Sequence, residues 1–213
     1  MSNRNDLESL SMRKNAGFNC ESAFHFIELV CYEMPTLRVP KKSKTVPKSF
    51  RIDELALLAV EAEANSQNVS PNTLVNQILK RYAEFDRFAH KVNSVNLSSS
   101  TFDALISSLE KDKVIEVAKS AGSSIPQAFA LAKTGKVELR SLINFIQTLG
   151  RYANLFEFTE TLDNDERIFT LIHRYGLNWS IFLVHYMTAM LEQIGISPTI
   201  EMTDKSVSYR ITD

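Results

Sequence analysis

The chain is poor in the residues that mark special architectures. Two cysteines in 213 residues, Cys20 and Cys31, are too few for a disulfide scaffold and point to a reducing compartment. Six glycines and six prolines exclude a collagen-like or low-complexity chain. No uncharged apolar run approaches the roughly 18 residues of a membrane span. The nearest, Phe24 to Tyr32, is broken by His25 and Glu28 and lacks a small-residue cleavage site. A cytoplasmic protein without a membrane partner is therefore expected. A nucleophile elbow, a P-loop and a dinucleotide fingerprint are all missing, so neither an enzyme nor a cofactor is expected. The four histidines, His25, His90, His173 and His185, fall into no cluster with metal-ligand spacing. The densest carboxylates, Asp163, Asp165 and Glu166, lie on a predicted hairpin turn, where solvated acids are ordinary.

What remains is a globular composition, 44% hydrophobic and 23% charged, with a formal net charge of −1. That near-neutral total hides an asymmetry. From Met34 to Ile52 the chain carries Arg38, Lys41, Lys42, Lys44, Lys48 and Arg51 and no acid, leaving −7 on the remainder. A basic stretch of this kind is a solvated linker or a contact for an anionic polymer.

Residues 1–40 read as a tail, and Met34 offers a second place at which translation could begin. Pro35, Pro40 and Pro47 keep the next stretch extended. Val46 to Ile52 then alternates: Phe50 and Ile52 face one way, Pro47, Ser49 and Arg51 the other, the period of a half-buried strand. Asp53 is a good N-cap for an Ala/Leu/Glu-rich helix over 54–65, and Asn68 suits a left-handed turn. Ser70 caps a second helix with Pro71 in its first turn, and Leu74, Val75, Ile78, Leu79, Tyr82 and Phe85 form its apolar face.

The unit from Val46 to Phe88 resembles the ribbon-helix-helix family of DNA-binding repressors, the CopG, Arc and MetJ type. The likeness rests on Phe50-Arg51-Ile52, the capping Asp53, a helix of about three turns, then Val69-Ser70 and a second helix, with 17 positions from Ile52 to Val69. It covers roughly a fifth of the chain. The resemblance implies a homodimer on double-stranded DNA, because one strand alone cannot satisfy its hydrogen bonds or bury its apolar face. Phe50, Ile52, Leu57, Val60, Leu74, Ile78 and Leu79 would form the dimer core. The opposite ribbon face would enter the major groove, placing Pro47, Ser49 and Arg51 at the base-reading positions, with Arg51 suited to guanine. Pro47 departs from the polar residue usual there. Ser70 and Asn72 at the second helix N-terminus, and Lys41, Lys42, Lys44 and Lys48 on the basic arm, would hold phosphates.

Beyond residue 95 an α+β domain is expected: several helices to about Gly150, then a β-β-α-β-β order through residue 213. The full expectation is an N-terminal ribbon-helix-helix over 41–90, a helical middle and a C-terminal sheet domain that modulates the regulator or assembles it beyond the dimer. Val117 to Gly122 with Pro126 is similar to the turn of a helix-turn-helix, but the following Gln127-Ala128-Phe129-Ala130 is too apolar to read bases, and plain helix packing is expected. His173, Tyr175 and Trp179, crowded at a strand-to-helix junction, are a candidate pocket or partner surface. The competing reading of the whole chain is a protein–protein module, an antitoxin-like partner or DNA-partition adaptor that acts through its C-terminal domain.

Overall fold

The computed structural model describes residues 45–91, 94–163 and 166–212. The tail, Lys41, Lys42 and Lys44 lie outside the described residues.

Asp53 begins α1 (Glu54–Ser66), its carboxylate accepting the Ala56 N–H at 3.1 Å. Asn68 takes the left-handed conformation expected of it, with φ 55°. Ser70 then starts α2 (Pro71–Arg81) by accepting the Thr73 N–H at 3.1 Å, with Pro71 at the position where a missing N–H is harmless. The two helices close on each other through the buried Ala64 and Leu74.

The stripe from Leu74 to Phe85, which reads as one regular helix, is interrupted. A π-helical turn occupies Tyr82–Asp86 before the chain resumes as α3 (Arg87–Lys91). The Arg87 N–H reaches back five residues to the Tyr82 carbonyl. Arg81 Nε donates to Asp86 Oδ1 at 3.3 Å, also a five-residue step. Such pairs are neighbours only across a widened turn; on a regular helix the neighbours are three and four apart.

The middle of the chain is helical, as expected: α4 (Ser99–Ser107), α5 (Lys111–Gly122), α6 (Ile125–Thr134) and α7 (Leu139–Tyr152). Ser98 caps α4, and Gly135 ends α6 in the left-handed region at φ 71°. The segment resembling a helix-turn-helix is the α5–α6 corner, where Gln127 Nε2 donates to the Gly122 carbonyl at 3.2 Å. The α7 helix passes Gly150, the stop expected from sequence, and ends two residues later.

The C-terminal part has the expected β-β-α-β-β order. Strands β1 (Glu157–Asp163) and β2 (Glu166–Ile172) precede α8 (Gly176–Glu192), and β3 (Thr199–Met202) and β4 (Ser206–Thr212) follow it. The sheet is antiparallel in the order β1-β2-β4-β3, which puts β2 and β4 at its centre. Register aligns Phe169 with Tyr209 and Leu171 with Val207, all four fully buried on the helical side. The opposite face carries hydroxyls and charge: Thr170 and Ser208 share a 2.9 Å hydrogen bond, and Arg210 pairs with Glu166 at 2.9 Å. The α8 helix is the hub, packing against α5, α4, β3 and β4. At its tightest crossing, a β-carbon on Gly122 would collide with the Tyr186 carbonyl, so only glycine lets α5 lie that close. This architecture is α+β: helices with one small four-stranded antiparallel sheet.

Candidate nucleic-acid interface

Residues 45–53, in front of α1, form no helix or strand in the single chain, and all are exposed. The alternation that marks Val46 to Ile52 as a strand is therefore unanswered by any partner strand among the described residues of the same molecule. Phe50 is 70% exposed and Ile52 49%. Pro47, Lys48, Ser49 and Arg51 are exposed beside them, and neither Lys48 nor Arg51 forms an ion pair among the described residues.

The residues expected to form a shared core divide in two. Leu74 is buried within the chain, and Val60 is half-buried. Leu57, Ile78 and Leu79 stay outside, the last two about half exposed at 49% and 50%. Sequence reading missed four more apolar residues left exposed in this region: Val46, Leu55, Leu58 and Tyr82. The signal was available in α1, where Leu55, Leu57 and Leu58 spread leucine around too wide an arc for one neighbouring helix to cover.

At the start of α2 the Ser70 hydroxyl is already engaged, capping Thr73 N–H and sharing a 2.8 Å hydrogen bond with Thr73 Oγ1. Asn72 is exposed, and its carbonyl accepts the Asn76 side-chain amide at 3.0 Å. Of the two, Asn72 has the freer side chain.

No protein-family model, curated protein or solved structure matches the chain. Function therefore has to be read from the geometry and chemistry of the molecule itself.

His173, Tyr175 and Trp179 do come together, at the joint between β2 and α8, but all three are buried. His173 Nε2 lies 2.9 Å from Ser180 Oγ, and burial depresses its pKa below the usual histidine range, partly offset by Asp204. The Tyr175 hydroxyl donates to the Asn154 carbonyl at 3.1 Å, and Trp179 Nε1 donates to the Leu155 carbonyl at 3.2 Å. Phe102 of α4 packs edge-on to both rings at 4.9 Å. The cluster ties α4, the α7–β1 corner and α8 into one joint and presents no side chain for a partner to grip. Among the described residues no group of His, Cys, Asp and Glu could hold a metal, and no helix is long and apolar enough to cross a membrane.

Proposed function

We propose that the protein is a sequence-specific DNA-binding regulator that acts as a homodimer. In this reading, residues 46–52 of two chains pair antiparallel into a ribbon that lies in the major groove. The observation that carries the proposal is the exposed alternating segment with Phe50 on one side and Arg51 on the other, joined by a capped turn to a helix pair with its own exposed apolar face. A strand of this length gains its ladder hydrogen bonds and buries Phe50 and Ile52 only by meeting a second strand. A second copy supplies that strand together with a matching face of Leu57, Ile78 and Leu79, so one association satisfies both.

The outward residues suit DNA. Arg51 has the rigid donor fork that reads guanine O6 and N7, and Ser49 can serve several bases. Lys48 and the lysines before it supply the cationic flank that phosphates require. The α2 N-terminus offers Asn72 and backbone N–H groups to a phosphate.

Sedimentation equilibrium of the full chain, followed by selection of bound duplexes from a random pool, tests the reading. A dimer that enriches one duplex motif supports it. A chain that stays monomeric through micromolar concentrations, or binds all duplexes equally, overturns it.

A further inference from the structure

The helix that carries the exposed apolar face does not stop at the boundary expected near residue 90. It is built into the C-terminal domain. Glu84, inside the π-turn, accepts the Tyr152 hydroxyl at 2.6 Å and Arg151 Nη1 at 3.3 Å, both from the end of α7. Lys80 approaches the other oxygen of the same carboxylate at 3.9 Å. Phe85 stacks on Tyr152 at 5.9 Å between centroids. One turn later Phe88, almost wholly buried, packs on Phe129, which in turn meets Phe145, at 5.0 and 4.8 Å.

The widened turn decides which way these residues point. At about 100° per residue, a regular helix would set Phe88 only about 80° from Ile78, on neighbouring faces. One inserted residue turns that separation to about 180°. Ile78 then faces away from the molecule while Phe88 faces into its C-terminal core, which agrees with their opposite exposures of 49% and 4%. A π-turn is disfavoured relative to a regular helix and persists where outside contacts hold it. Here Arg151 and Tyr152 of α7 supply them.

We propose that the π-turn at Tyr82–Asp86 is the coupling element of the molecule, and that Glu84 and Tyr152 are positioning residues. They fix the rotational phase between the face offered to a second copy and the face buried in the C-terminal domain. An event that shifts the end of α7 then turns Ile78, Leu79 and Tyr82 relative to the other chain, which gives the C-terminal domain control over dimer geometry. This regulation rests on the dimer reading above, whereas the mechanical coupling within one chain does not.

Native-state hydrogen exchange on the full chain, paired with sedimentation equilibrium, tests it. In Glu84→Ala/Tyr152→Phe, exchange should quicken by about fivefold or more through residues 71–81, well outside the altered contacts, while β2 and β4 amides keep their protection. Alanine is the better helix former, so a merely local effect would slow exchange in α2. Glu84→Gln, whose amide oxygen still accepts the phenol proton, should keep near-native protection and guards against a variant that misfolds. Self-association should weaken at least tenfold in the double variant and little in Glu84→Gln. Exchange changes confined to 82–91 and 148–156 would overturn the coupling. A wild-type chain that never self-associates would instead overturn the dimer reading and leave the exchange result to decide the coupling by itself.

Discussion

The backbone N–H of Tyr175 donates to Nδ1 of His173 at 3.3 Å, which leaves the imidazole proton on Nε2, pointing at Ser180 Oγ 2.9 Å away. A second proton would have to sit on Nδ1, against a backbone donor, in a buried site. Burial lowers the folded pKa of His173 from the ordinary 6.5, the opposing charge of Asp204 being the smaller effect. The unfolded chain therefore takes up the proton first as pH falls. Stability is full above about pH 6.5 and declines as pH drops from there toward the depressed folded value. Thermal unfolding followed from pH 8 to pH 5 should show this decline, and His173→Gln should flatten it. An unchanged slope in that variant would assign the effect elsewhere, with His185, also depressed by burial, the first alternative.

Arg51→Ala should relax sequence preference and leave self-association intact. A bidentate arginine–guanine pair discriminates by about 1–3 kcal/mol, so the enriched duplex motif should lose one position while the rest survives. Binding measured on single-base variants of the selected duplex checks this. Equal losses on every duplex would make Arg51 a phosphate contact.

Replacing Lys41, Lys42 and Lys44 with alanine should act in the opposite manner. Affinity should fall about evenly across sequences, and the salt dependence should flatten by close to one slope unit for each phosphate that is no longer neutralised. Fluorescence anisotropy titrations at several salt concentrations provide the slope.

Ile78→Glu with Leu79→Glu places two like charges on the face offered to a second copy. Self-association should disappear while the circular dichroism of the chain stays near native, because both side chains are already half exposed in the single molecule. Loss of the C-terminal fold in the same variant would mean that the face is intramolecular.

Gly122→Ala should destabilise the C-terminal domain by about 1–3 kcal/mol, as expected of an overpacked helix crossing, because α5 must back away from the Tyr186 carbonyl. Denaturant unfolding of the full chain measures the loss.

The legible parts of the fold were those written in local chemistry. Asp53, Ser70, Asn68 and Gly135 mark their caps and turns by residue type, and the alternation of β1 and β2 announces the sheet. Features set by distant contacts were not legible. Nothing local distinguishes Tyr82–Asp86 from regular helix; its widening depends on Glu84 and Phe85 meeting Tyr152, 68 residues away for the shorter hydrogen bond. Gly122 reads as a helix stop, and its role against Tyr186 is a matter of tertiary approach. His173, Tyr175 and Trp179 stand out as unusual chemistry, but sequence alone cannot tell a packed joint from an open one.

Trp179 is the sole tryptophan of the chain, and it is wedged where Phe102, Phe182 and the Leu155 carbonyl converge. The molecule thus carries one indole fluorophore, seated far along the sequence from the helix pair that precedes it. Its emission reports whether the C-terminal core is intact and is blind to melting confined to α1. Emission and helical ellipticity, recorded on the same sample, therefore show whether the two ends of the protein come apart together or in turn.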